Sequence, residues 1–143
     1  MKINFLYRGI KPVKEISNGN FKGKIKRTAE KIFSDENVNA GYISIVFCND
    51  IVIREYNSRF LGHDYETDII TFYDYDEIGN TEGELLISLD TVKNNSERFG
   101  TEFLNETGRV IIHGVLHLCG YKDGTAAGKL RMRKKENIYL KFL

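Results

Sequence analysis

The segment from Glu102 to Gly120, EFLNETGRVIIHGVLHLCG, constrains the fold of this chain more than any other. At about 100° per residue on a helix, Ile111, Ile112, Val115, Leu116, Leu118 and Cys119 cover more than half of the circumference. A helix that apolar is buried on several sides, so the rest of the chain must be built around it. His113 and His117 fall about 40° apart on the remaining side, near Glu106 and Arg109. Gly120 reads as the helix terminator.

The flanking segments supply what such a helix needs. INFLY (3–7) and YISIVFC (42–48) read as strands rich in β-branched and aromatic residues, as do DIITFYDY (68–75) and GELLISL (83–89). Phe21, Ile25, Ala29 and Ile32 recur at helical spacing over about 20–35. Asn49 or Asp50 can cap a helix that shows Val52, Tyr56 and Phe60 on one side. Asp90 to Phe99 forms a short helix. A last, polar and basic helix starts at Thr125, with Leu130, Ile138 and Phe142 as its sparse apolar contacts. At 143 residues the chain is expected to form one domain, residues 1–143. The fold class is α+β: a mixed sheet of about four strands packed with about five helices, and a metal site on the buried helix of the C-terminal half.

Composition narrows the setting. There is no run of 18 apolar residues to span a membrane, and MKINFLYRGIKPVKE lacks the h-region and cleavage site of a signal peptide. Cys48 and Cys119 are too few to suggest a disulfide framework, which points to a reducing cytoplasm. Net charge is +1, but its distribution is uneven. Residues 22–31 carry five basic side chains and one acid, residues 129–135 carry five and none, and the stretch from Asp64 to Glu84 is acidic. That pattern suits a polyanion held at the edges and a cation held in the middle, or else only solvated helix faces.

Side chains four apart on a helix lie one above the other, so His113 and His117 can reach a single ion. The pattern is not the protease signature H-E-x-x-H, because Gly114 stands where the glutamate would be. One pair does not hold a metal, and a third ligand is required. His63 is distant in sequence, and Cys119 points away from His117 and reads as core. Asp123, three residues past the terminator, completes an H-x3-H-x5-D spacing. It could equally be a solvated turn residue before Gly124.

HGVLHLCGY (113–121) resembles the H-G-x-L-H-L-x-G-Y-D-H signature of the YbeY family of metal-dependent endoribonucleases, which act in ribosomal RNA maturation. TDIITF (67–72) is similar to that family's T-D-V-L-S-F segment and GELLIS (83–88) to its G-D-I-x-I-S strand, in the family's order, across roughly residues 40–143. The resemblance implies a four-stranded α+β domain, a zinc-like ion on three histidines and association with the small ribosomal subunit. This chain departs from the pattern twice. The third histidine falls on Asp123, with Lys122 in place of the preceding aspartate, and Leu61 stands where the family usually carries an arginine. Two histidines and one carboxylate remain a workable set for Zn²⁺ or another divalent transition metal.

Such an ion lowers the pKa of water at its open position and supplies hydroxide to attack an RNA phosphodiester, so no separate base after His113 is needed. Lys122 is the nearest cation for the phosphate, with Arg109 and Arg59 behind it, and Glu84 is a candidate base or supporting partner. The basic stretches Lys22–Arg27 and Lys129–Lys135 would hold the RNA backbone. The resemblance implies a single-strand-specific endoribonuclease acting on the 16S rRNA precursor in late 3′-end maturation and ribosome quality control. Neither a membrane nor a nucleotide cofactor is expected. The alternative is a ribosome-assembly factor whose metal is structural and whose catalysis is weak or absent. A peptidase is disfavoured by the missing H-E-x-x-H base.

Overall fold

The computed structural model describes residues 1–143, and its elements follow from the local chemistry just read. The β-branched and aromatic runs form β1 (Lys2–Tyr7), β2 (Ala40–Cys48), β3 (Ile69–Tyr75) and β4 (Thr81–Ser88). The amphipathic segments form α1 (Gly19–Asp35), α2 (Asp50–Leu61), α3 (Leu89–Phe99), α4 (Phe103–Leu118) and α5 (Ala126–Leu140). Side-chain oxygens fix several starts. Asn49 accepts from the Val52 amide at 2.9 Å and so caps α2, while Thr125 accepts from the Gly128 amide at 3.0 Å and caps α5. Asp50 is not the cap. Its carboxylate accepts from the Ser88 and Thr91 hydroxyls, each at 2.6 Å, and ties α2 to the start of α3. The last strand therefore ends at Ser88, which caps α3, one residue before the expected boundary.

The four strands form one mixed sheet in the order β1-β2-β4-β3. β1, β2 and β4 run parallel, and β3 pairs antiparallel to β4 at the edge, with Ile69 opposite Ile87 and Tyr75 opposite Thr81. Strand side chains alternate between faces. Ile43, Ile45, Phe47, Leu85 and Ile87 meet α1, α4 and α5 in the main core, whereas Val46, Cys48, Ile70 and Leu86 pack with Ile53 beneath α2. No helix is long and apolar enough to cross a membrane.

The central helix is seated as its sequence requires. Val110, Ile111, Ile112, Val115, Leu116 and Leu118 are all buried, and each full burial of this kind stabilises by about 1.5–3 kcal/mol. Gly114 faces the sheet. A Cβ there would lie 2.7 Å from Ile69 Cδ1 and 2.8 Å from a Leu85 methyl, so the glycine lets α4 press against β3 and β4. It makes room for strands.

The last helix corrects the sequence reading. Leu130, Ile138 and Phe142 are about half exposed, and the buried residues are instead Gly128, Met132, Glu136 and Tyr139. Two of these four do not register as apolar, which hid the stripe from a hydrophobic pattern. Gly128 is needed for close approach, since a Cβ there would lie 2.5 Å from the Lys122 carbonyl oxygen. Glu136 is buried because it serves the site described next.

Candidate metal centre

Three side chains from one stretch of chain converge. His113 and His117 project from the last two turns of α4, and the chain then reverses at Gly120, whose φ of 100° lies in the left-handed region. The Gly120 amide bonds to the His117 carbonyl and the Tyr121 amide to that of Leu116, at 3.0 and 3.1 Å. This tight reversal brings Asp123 back over the imidazoles. Asp123 Oδ2 is 3.2 Å from His113 Nε2 and 3.5 Å from His117 Nε2, and the two Nε2 atoms are 3.0 Å apart. Ligand atoms about 2.0–2.1 Å from a tetrahedral ion lie roughly 3.3 Å from each other. The separations match that spacing.

The outer nitrogens show why the inner ones suit a cation. His117 Nδ1 donates to the Tyr121 carbonyl oxygen at 2.8 Å; a carbonyl only accepts, so the proton sits on Nδ1. His113 Nδ1 donates to Glu136 Oε2, also at 2.8 Å. In neutral rings both Nε2 atoms then carry bare lone pairs, which face each other and the Asp123 carboxylate. With both rings neutral, three acceptor atoms lie within 3.5 Å of one another, an arrangement that suits a cation between them.

The surrounding field agrees. Burial disfavours a charged His113, but the hydrogen bond and charge of Glu136, followed by Asp123 and Asp68, outweigh it and raise the imidazole pKa above its ordinary value. Glu136 is itself buried, which disfavours its ionised form. The His113 and Arg109 hydrogen bonds reverse that and hold its carboxyl below the usual range. Arg109 donates to Glu136 Oε1 at 2.9 Å and to Asn137 Oδ1 at 3.0 Å. The residues present therefore fit a divalent ion held by His113 Nε2, His117 Nε2 and Asp123 Oδ2.

Two clefts meet at this triad. The larger, about 630 Å³, contains His113, His117 and Asp123 together with Lys122, Leu61 and residues of β3. The smaller, about 330 Å³, shares His113, Asp123 and Asp68 and is rimmed by Arg109, Lys129 and Arg133. Lys122 lines the same cleft as the triad. Leu61 lines the larger cleft at 51% exposure.

Arg59 and Glu84 are not brought to the triad. Arg59 pairs with Glu55 at 2.9 Å along the outer side of α2 and borders a separate depression with Arg54 and Asp64. Glu84 lies on an interior strand, not an edge, and points to the α2 face, where it meets Arg8 at 3.5 Å. His63 stacks on Tyr65, and burial pushes the Cys119 thiol up to about 12, so neither joins the ligand set. Glu136 and the Tyr121 carbonyl are the partners that sequence reasoning missed. A buried acid on a basic helix leaves no periodic signal, though its position on one stripe with Gly128 and Met132 was a clue.

Comparison with known proteins places this arrangement. The sequence model described as endoribonuclease YbeY matches residues 10–143. A curated endoribonuclease YbeY from Parabacteroides distasonis is 50% identical over 103 residues, covering 72% of each chain. Another, from Chloroherpeton thalassium, is 46% identical over 118 residues, covering 82% of each. A solution structure from Thermotoga maritima superposes with a TM-score of 0.67 at 26% identity, covering 99% of this chain and 88% of that one. The helix, its paired imidazoles and the returning carboxylate are thus found in a chain that belongs to the endoribonuclease YbeY family.

Proposed function

We propose that residues 1–143 form a metal-dependent endoribonuclease domain that cuts single-stranded RNA in the cytoplasm, with the 3′ end of the 16S rRNA precursor on the small ribosomal subunit as its substrate. The observation that carries the reading is the facing of two imidazole lone pairs and one carboxylate, with both outer nitrogens already committed. A divalent ion held there, Zn²⁺ in this proposal, would polarise the phosphodiester and lower the pKa of a water at the open position.

The chain's own groups do the rest. Glu136 and the Tyr121 carbonyl hold the two rings with Nε2 inward. Lys122, on the reversal beside Asp123, offers the charge that a phosphate needs as it gains negative character. The basic stretches on α1 and α5 hold the backbone without reading sequence. Arg59 and Glu84, lying apart from the triad, have no contact with the reacting phosphate in this scheme.

The test combines metal analysis of the purified protein with cleavage of an unstructured RNA. Wild type is expected to carry about one equivalent of metal and to cut, and His117→Ala to do neither. Cleavage that survives in His117→Ala would come from a contaminant and would sink the reading. Leu61 favours a second reading, in which the protein assists ribosome assembly and the ion is structural, because an apolar side chain in the cleft cannot contact phosphate. Leu61→Arg separates the two. Strongly increased cleavage marks an enzyme short of one cation, whereas metal-dependent RNA binding with no cleavage in either form supports the second reading.

A further inference from the structure

The two clefts that meet at the triad differ in chemistry, and an RNA strand cut in its interior must continue on both sides. On one side stand Lys129 and Arg133, both exposed at the rim of the smaller cleft. Arg133 is tethered only loosely to Glu136, at 3.9 Å. On the other side the larger cleft runs along β3, the free edge of the sheet, and there the exposed side chains are aromatic. Tyr73 is 64% and Tyr75 61% exposed, far more than rings of this size need to be on a strand that has an adjacent core to fill.

Tyr73 and Tyr75 are two residues apart and so share a face of β3. It is the face of Ile69, whose methyl reaches Gly114 on the histidine helix, and not that of Phe72, which packs on Phe60. The rings sit edge to face with centroids 6.3 Å apart. Neither makes a side-chain hydrogen bond among those that hold the fold together, so the fold does not fix either ring. The nearby acids do not fill this surface. Asp76 is turned onto its own loop, accepting from the amides of Ile78 and Asn80, and Asp74 accepts from the Tyr75 amide.

We propose that Tyr73 and Tyr75 form a stacking platform for unpaired bases of the RNA on one side of the cut, while Lys129 and Arg133 hold phosphates on the other. The proposal rests on the endoribonuclease reading and adds to it a cause for single-strand selectivity. Paired bases present their edges, whereas only an unstacked base can lay its face on a tyrosine ring. From Ile69, beside the histidine helix, to Tyr73 is about 13 Å at ~3.3 Å per strand residue. That corresponds to roughly four nucleotides at a stacked spacing of ~3.4 Å.

Stacking and charge respond differently to salt, and this separates the two sides. The metal-loaded protein is titrated with a short oligoadenylate, protected against hydrolysis by phosphorothioate linkages that keep the backbone charge, over a series of salt concentrations. The double variant Tyr73→Ala/Tyr75→Ala should bind about thirtyfold or more weakly with an unchanged salt slope, since each stacked base contributes at least about fivefold. Tyr73→Phe/Tyr75→Phe should bind like wild type. Lys129→Ala/Arg133→Ala should flatten the slope by about 0.7 for each phosphate no longer held. A duplex of the same length should be indifferent to the tyrosine changes.

Wild-type affinity in the tyrosine-to-alanine variant overturns the proposal and leaves the open strand edge to another partner, such as an extended peptide. Equal loss for duplex and single strand overturns it as well. If wild type neither binds the oligonucleotide nor cuts its unprotected counterpart, the endoribonuclease reading fails along with it. If wild type does both and the alanine variant matches it, only the stacking platform is lost.

Discussion

The two faces of the sheet each carry a carboxylate from one of the recognised motifs, and they hold it in opposite ways. Beneath α2, Glu84 lies with Arg8, whose guanidinium also donates to the Tyr56 hydroxyl at 2.9 Å and lies over that ring. Its charge is answered within the protein. On the α4 face, Asp123 faces two imidazole nitrogens and no lysine or arginine, so only a proton or a metal ion on those nitrogens answers its charge. The difference shows what marks a metal centre here. Carboxylates are common on surfaces, but acceptors gathered without a donor are not. The same contrast explains why Glu136, although buried, belongs to the site: Arg109 neutralises it, so it can accept from His113 without needing the ion itself.

If that contrast is right, changes on the two faces should separate cleanly. The largest effect is expected from His117→Ala. Site energies of about 10–16 kcal/mol shared among a few ligands imply a loss well over a hundredfold in metal affinity, read by chelator competition. Retained affinity would mean that the ion, if any, sits elsewhere. Glu136→Gln comes next. It removes the charge that holds His113 with Nε2 inward, and metal affinity should fall about 10–100-fold with the fold intact. Imidazole ¹⁵N shifts should show His113 losing its Nδ1–H preference, and an unchanged tautomer would break the link between α5 and the ion. Glu84→Gln is the smallest. Its half-exposed, 3.5 Å pair with Arg8 is expected to contribute about 0–1 kcal/mol, so denaturant midpoints should shift little and metal content not at all. A drop in metal content there would erase the distinction between the faces.

Much of this fold was legible because its signals are local. The strands announced themselves by β-branched runs and α4 by its wide apolar surface. Asn49, Thr125 and Gly120 acted as the caps and terminator that their chemistry suggests. His113, His117 and Asp123 were readable as a set because all three lie within eleven residues joined by one tight reversal. What was not legible depends on distant approach. Glu136 reaches His113 across 23 positions, and the buried stripe of α5 includes a glycine and an acid that no hydrophobic pattern counts. The positions of Arg59 and Glu84 turned on which side of α2 and which face of β4 they occupy, and spacing alone left that open. Gly114 was readable as the missing glutamate, and it is the Ile69 and Leu85 methyls against it that show it makes room for strands.

The central claim is that Asp123 serves as the third ligand in place of an imidazole. Its most direct test is metal stoichiometry, measured on the purified chain and on two variants after mild chelation and reloading with Zn²⁺. Wild type and Asp123→His should each retain about one equivalent, because either side chain can offer one ligand atom at that position. Asp123→Ala, left with only two imidazoles, should retain almost none. Full retention by Asp123→Ala would contradict the assignment and leave His113 and His117 as a structural pair without a metal partner in Asp123.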